Sequence, residues 1–423
     1  LSNTNPHEIK GLVAHLFRQQ AGQLTATITR LLGASQLDLA EDVVQETLLR
    51  ALRHWPFYGL PDSPAAWLTT TAKRIALDKL KHQSMQNRTS ESVGRHVEEM
   101  LSQAAVNPDP KFNGELRDDL LAMMFACCRC DTSETTQIAM TLHLLCGFSA
   151  REVARAFLVD EAAVAQRLVR AKKSLRESGL SLDAPLDFEV ASHLDTVLAA
   201  LYGMFNEGYK ASEGERLVRE ELCDEAIRLA EILVEHPAAN RPETHALLSL
   251  CYFQHSRLTA RVGADGSLLT LDEQDRSQWS RDDINHGLRY LELASIGERL
   301  TRYHLEAGIA SVHATAGSYE QTNWERILEL YDALLDIEPS PIVQLNRIVA
   351  LSQAIGRVEA VAELDKIGES PRLKEYHLYY ATRGVLLHQL DRREEARASF
   401  EEALRLCMNE VEKAFLRKKI AEL

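Results

Sequence analysis

The residues whose types and spacing could do chemistry cluster in FSAREVARAFLVDEAAVAQRLVRAKKSLR, Phe148 to Arg176. Gln166, Arg167, Arg170, Lys172 and Lys173 fall together there, groups suited to holding phosphates and reading base edges. Ser149 and Glu152 form an S-x-x-E capping box that starts a first short helix, with Val153, Ala154 and Phe157 as its apolar stripe. A break at Leu158-Val159-Asp160 ends that helix, and Asp160 is a good N-cap for a second. In the second helix Val164, Leu168, Ala171 and Leu175 recur at helical spacing and leave the basic residues off the buried face. A small brace with a cationic second helix is what a helix-turn-helix requires. The plainer alternative is a pair of amphipathic helices with a solvated basic face.

Upstream, Asp38-Leu39-Ala40-Glu41 opens a helix whose buried stripe is Val44, Leu48, Ala51 and Trp55. Glu41, Asp42, Gln45 and Glu46 make one side of it acidic, through the helix dipole or as a partner-binding face. WPFYGLPDSP then reads as an aromatic loop, and Ser63-Pro64 starts a basic helix packing through Leu68, Ala72 and Ile75. Aromatics such as Trp67 beside Lys73, Arg74, Lys79 and Lys81 suit single-stranded DNA, where bases stack on rings and cations follow phosphates. The alternative places Trp55 and Trp67 in the core.

Charge is unevenly divided. Residues 1–180 hold 21 Lys+Arg against 20 Asp+Glu, and residues 181–423 hold 27 against 42, so the net −14 belongs entirely to the C-terminal part. The two parts therefore expect different partners. With 423 residues, few aromatics, 20 Gly and 12 Pro, the composition suits an all-α protein of several domains. No apolar run approaches the roughly 18 residues of a membrane span, and no signal peptide is visible, so a soluble cytoplasmic protein with no membrane partner is expected. Seven cysteines without framework spacing fit reduced thiols, and Cys127, Cys128, Cys130 and Cys146 read as small buried hydrophobes rather than a structural zinc site.

The helical pattern of residues 1–33 (Ile9, Leu12, Val13, Leu16 and Phe17, then Leu24, Ile28, Leu31 and Leu32) closes at Gly33. Residues 86–115 are polar, with Asn107-Pro108-Asp109-Pro110, and read as a linker. Past Leu180 successive helical patterns at 188–209, 215–236, 242–261 and onward to 409–422 suggest paired helices stacked as a solenoid. Gly384, Ala396, Phe400 and Ala403 have the small-and-large spacing of a tetratricopeptide repeat, and Asn323-Trp324 to Pro339 looks like a degenerate unit. One polar interruption, GADGSLLTLDEQDRSQW at 263–279, has a turn at Asp265-Gly266 and reads as a loop pinned to the solenoid by an Asp–Arg pair. An enzyme built on Glu207, Asp275 or a histidine finds no nucleophile motif or metal-spaced cluster in support, so no catalytic residue and no cofactor is expected.

Residues 38–83 resemble region 2 of a bacterial sigma factor of the extracytoplasmic-function group, and residues 118–176 resemble its region 4, in the family's order. The resemblance implies an all-α, non-catalytic subunit that binds core RNA polymerase and reads promoter DNA. Region 2 is implied at 1–85, a linker at 86–115, region 4 at 116–178 and a tetratricopeptide-like extension at 187–423. Asp38, Glu41, Asp42, Gln45 and Glu46 match the surface that docks on the polymerase β′ clamp helices. The loop Phe57-Tyr58-Gly59-Leu60 matches the one that pockets a flipped −10 base, and Trp67, Lys73 and Arg74 match the promoter-melting helix, with Ile75 standing where the family more often has Asn. Ala162, Ala163, Gln166, Arg167, Arg170 and Lys173 match the −35 contact positions, where alanine allows only thymine-methyl contact or shape readout. LYGMFNEGY, LDEQDRSQW and SPIVQLNRIVA resemble the extension of one subgroup, implying a regulatory part that could receive a regulatory protein. A helix-turn-helix regulator on a repeat scaffold, with no place in the polymerase, is the alternative reading.

Overall fold

The computed structural model describes residues 20–86, 111–128, 132–156, 160–178, 187–210 and 217–423. Ile9 to Phe17 of the first expected helix, most of the expected linker, Cys130, the Phe157–Val159 break and residues 211–216 lie outside the described residues. The described chain is all-α; its β character is an isolated antiparallel bridge between Val262 and Leu268. It divides into two compact units, 1–200 and 201–423.

In the first unit, helix α1 (20–32) buries Leu24 and Ile28 against α2 (Leu37–Tyr58) and α3 (Pro64–Gln86). Val43, Val44, Ala51 and Trp55 meet Leu68, Ala72 and Ile75 there, with Trp67 half-buried at the edge. Two local expectations need correction. Asp38 does not open α2: a 3-10 turn, Ala34–Gln36, runs straight into Leu37, which is fully buried and fixes the start one residue earlier. The aromatic loop is also shorter than expected, because α2 continues through Pro56 to Tyr58. Gly59 ends it with φ 80° and donates its N–H to the Trp55 carbonyl at 2.9 Å, so the last turn closes on a buried tryptophan.

Helices α4 (Lys111–Cys128) and α5 (Glu134–Leu145) supply a second core through Leu120, Met124, Phe125 and Met140. Here α4 already begins inside the stretch expected to be linker. Cys127 and Cys146 are buried. Helix α6 (Ala150–Ala156) and helix α7 (Glu161–Glu177) follow. The Ser149 N–H and hydroxyl donate to Glu152 at 2.8 Å while the Glu152 N–H returns to Ser149 Oγ at 3.2 Å, a complete capping box. Asp160 accepts from the Ala163 N–H at 3.0 Å, and Val164, Leu168, Ala171 and Leu175 are the buried stripe of α7.

Helix α8 (Asp187–Tyr209) spans the division between the units. The second unit stacks α9 (Glu220–Glu235), α10 (Pro242–His255), α11 (Arg281–Ala294), α12 (Arg302–Thr315), α13 (Trp324–Ile337), α14 (Pro341–Ala354) and α15 (Arg357–Ile367). Then come the single turn α16 (Pro371–Lys374), α17 (His377–Gln389), α18 (Arg393–Leu406) and α19 (Glu410–Ala421). Most of these helices pack on their neighbours in sequence, an array consistent with a solenoid. Two pairs interlock through a glycine: a Cβ on Gly384 would sit 2.7 Å from the Phe400 ring, and one on Gly287 2.7 Å from Phe253.

The 263–279 loop is pinned, but not by the expected Asp–Arg pair. Asp275 caps its own turn, accepting from the Ser277 N–H at 2.9 Å, and is exposed. Arg276 turns inward to the carbonyls of His313 and Ala316 and to Thr322, and lies 4.8 Å from the buried Trp279 ring centroid. Backbone carbonyls at the end of α12 need donors, and the guanidinium supplies them.

His255 ties three helices. It hydrogen-bonds Asp224 of α9 at 3.0 Å and Asp283 of α11 at 2.9 Å. Burial works against the charged ring, but these two carboxylates prevail and raise its pKa from 6.5 to about 9. The folded value exceeds the unfolded one, so this stabilisation is full below about pH 6.5 and is lost as pH rises through about 9. Thermal melts of wild type and His255→Gln should therefore differ most near pH 6 and converge above pH 9.

Candidate polymerase and promoter interface

At about 100° per residue, the acidic positions of α2 form one stripe with Asp42 and Gln45 at its centre. Those two are exposed, as is Asp38. The edges of the stripe are tied. On one edge Glu46 holds Arg50 at 2.7 Å and Lys79 of α3 at 3.3 Å. Burial pushes its carboxyl up, but the hydrogen bonds from Arg50 and Lys79 outweigh that and hold it below the ordinary value.

The other edge meets α7. Lys172 Nζ donates to both oxygens of Glu41, at 2.7 and 2.9 Å, and Arg176 pairs with Asp38. Both members of the Lys172–Glu41 pair are three-quarters or more shielded. His143 of α5 stands behind them, its Nε2 3.7 Å from Glu41 and its Nδ1–H donating to the Phe148 carbonyl at 2.6 Å. Burial, then the Lys172 ammonium, lowers the His143 pKa and keeps the ring neutral. Two further contacts bind the same halves: Arg30 of α1 pairs with the buried Asp119 of α4 at 2.5 Å, and Gly22 lets α1 approach the Leu145 carbonyl. A Cβ at Gly22 would lie 1.7 Å from that oxygen, so no larger residue fits.

Helix α7 thus has three faces. Its apolar stripe is buried, its Lys172–Arg176 flank faces α2, and Ala162, Gln166, Arg170 and Lys173 point to solvent on the far side. Arg167 is exposed on the opposite flank, and Ala163 is half-buried. The structure therefore gathers Ala162, Gln166, Arg170 and Lys173 of the expected −35 residues on one open face and leaves Arg167 and Ala163 beside it. It sets Lys172, which the sequence groups with the basic residues of this helix, to a different task.

The expected −10 residues lie at the far end of α2. Phe57 is 84% exposed and Tyr58 78%, large rings left in solvent. Tyr58 stacks on His54 at 4.3 Å, and His54 is 5.7 Å from Trp67, which meets Trp55 edge-on at 5.5 Å. A chain of rings runs from the core to the surface, with exposed Arg74 and half-buried Lys73 on α3. Such a ladder can stack unpaired bases.

In the second unit, the stretches LYGMFNEGY and SPIVQLNRIVA meet at a cavity of about 230 Å³. Asn206, Gln254 and Asn346 reach it beside Tyr202, Tyr331 and the ion pair of Arg302 with Glu306 at 3.0 Å. Burial holds the Glu306 carboxyl up, and Tyr202 donates to it at 2.5 Å. Glu207, the carboxylate of the first stretch, is buried against Arg219 at 3.5 Å, a structural pair.

Comparison with known proteins gives three family matches along the chain. Residues 16–85 match the family profile of sigma-70 region 2, residues 133–175 that of sigma-70 region 4, and residues 193–295 a family of unknown function (DUF6596). The chain belongs to the sigma-70 family, with region 2 and region 4 domains followed by a C-terminal extension. A protein of Rhizobium meliloti (strain 1021), named Uncharacterized protein R00370, is 40% identical over 389 residues, covering 92% of this chain and 90% of the relative. Sigma factors are non-catalytic, and their two domains assign this chain a role in transcription initiation through core RNA polymerase and promoter recognition. Among the described residues no helix is long and apolar enough to cross a membrane.

The Lys172–Glu41 contact is testable by charge exchange. Lys172→Glu should set two carboxylates face to face and part the halves, read as an increased transfer distance between dyes on α2 and α7. Combining it with Glu41→Lys should restore the short distance, and a double variant that stays apart would show that this pair does not hold the halves together.

Proposed function

We propose that this chain is a sigma factor of the extracytoplasmic-function group whose extension is a tetratricopeptide-like regulatory solenoid. Region 2 docks on the polymerase β′ clamp helices through the α2 stripe and captures the −10 element with Phe57, Tyr58, Trp67, Lys73 and Arg74. Region 4 reads the −35 element with Ala162, Ala163, Gln166, Arg167, Arg170 and Lys173. The observation that carries this reading is the pairing, in one chain, of an exposed acidic stripe beside solvent-facing aromatics with a separate helix-turn-helix. A simple helix-turn-helix regulator has no use for the first. The cavity lined by Asn206, Gln254 and Asn346 supports a binding role for the extension, since carboxamides offer both donor and acceptor to a partner's backbone.

The form described here keeps one edge of the docking stripe engaged by α7, so the reading includes an opening step before clamp binding. Asp42 is the residue to test, because it lies at the centre of the stripe and outside the Lys172 contact. Asp42→Lys should weaken binding to purified core polymerase roughly tenfold, about 1.4 kcal/mol for reversing one interfacial charge, with the melting temperature unchanged. Unaltered affinity would remove α2 from the docking surface, and absence of any run-off transcript with core polymerase would sink the sigma reading.

Arg170→Ala tests the other half. Loss of one phosphate contact should weaken promoter binding across sequences and reduce the slope of log affinity against log salt by about one. A loss confined to one base position, with no change in slope, would instead make Arg170 a base reader.

A further inference from the structure

In the second unit His377, Cys407 and Glu412 converge from three places: the first residue of α17, the turn after α18 and the first turn of α19. Cys407 and Glu412 are buried, and His377 is half-buried. The Nε2 of His377 is 3.1 Å from Glu412 Oε2, and Cys407 Sγ is 3.8 Å from the same oxygen. The three donor atoms lie within 4.8 Å of one another.

Those separations suit a shared cation. Zinc binds imidazole nitrogen and carboxylate oxygen at about 2.0–2.2 Å and thiolate at about 2.3 Å, which in tetrahedral geometry puts neighbouring donors about 3.2–3.7 Å apart. A nitrogen, a sulfur and one oxygen also match a borderline-soft divalent ion better than a hard one. The turn is held in place: Asn409, fully buried, caps α19 by accepting from the Val411 N–H at 2.9 Å and the Glu412 N–H at 3.2 Å.

The opposing consideration is Lys210, whose ammonium lies 2.9 Å from Glu412. It occupies Oε1, however, whereas His377 and Cys407 face Oε2, so one carboxylate has a free donor side and a tethered side. A thiolate and this carboxylate together neutralise a divalent charge, and binding would release the Cys407 proton to solvent.

We propose that His377, Cys407 and Glu412 form a binding site for a borderline-soft divalent cation of the zinc class, with Lys210 orienting Glu412 from its other oxygen. The site does not depend on the promoter reading above. Its consequence is structural: Glu412 already joins α17, α19 and, through Lys210, the end of α8. A cation there would fix the last helix to both.

The test is to strip the purified full chain with a chelator and titrate it with Co²⁺ as a spectroscopic stand-in. One equivalent should produce a near-ultraviolet thiolate-to-cobalt charge-transfer band that Zn²⁺ then bleaches. Cys407→Ser should abolish the band, and His377→Asn should weaken binding by about tenfold or more. Lys210→Met should keep the band, because it leaves Oε2 in place and removes a repelling charge. No band in the wild-type chain, or a band that survives Cys407→Ser, overturns the proposal. A band that survives His377→Asn with unchanged affinity would likewise overturn the three-residue ligand set.

Discussion

The Glu41 carboxylate is where the two DNA-facing modules become one body. It receives Lys172 from α7 and stands near His143 from α5, and the helices around it leave its pair largely shielded. A fully exposed ion pair contributes about 0–1 kcal/mol, and breaking a deeply buried one by removing a partner costs about 3–5 kcal/mol. Lys172–Glu41 lies between these limits. It is strong enough to bias the modules together and weak enough for a partner of ordinary affinity to compete with it.

That intermediate strength matters because the acidic stripe of α2 is divided. Its edges, Glu41 and Glu46, and Asp38 at its N-terminal end are tied to cations of the same chain, while Asp42 and Gln45 are open. A partner attracted to the centre can arrive before the edge is released. On the proposed reading, the open centre favours encounter with the polymerase and the tied edge sets the cost of completing it. The solvent-facing residues of α7 are a different surface of that helix, so the contact with α2 does not consume them.

Much of this was legible where local rules govern. The capping box at Ser149–Glu152, the Asp160 cap and the buried stripe of α7 stand as expected, because each depends on residues within one or two turns. The Gly384–Phe400 interlock was legible for the same reason that repeats are: size alternation within a helix pair. The matching interlock of Gly287 with Phe253 was missed, since no repeat spacing announces it. Gly22 against Leu145 and Lys172 against Glu41 were not legible either. They join positions more than a hundred residues apart, and a glycine or lysine on a helix has the same appearance with or without such a partner. Arg276 shows a subtler failure: its neighbour Asp275 suggested an ion pair, but unpaired carbonyls at the end of α12 made a stronger claim on the guanidinium.

The acidity of the second unit also changes meaning once it is folded. Its carboxylates are repeatedly bound between helices: Glu338 by Arg302, which also holds Glu306 of its own helix, Asp332 and Glu363 by Arg347, and Asp224 and Asp283 by His255. Negative charge here is therefore structural material as well as surface field. Each of these three cations is shared by two carboxylates from different elements. A single arginine or histidine then spans a junction that hydrophobic contact alone would leave free to slide. Arg302, one of these shared cations, lines the cavity that Asn206, Gln254 and Asn346 reach, so ion pairing and polar lining meet at one junction of the array.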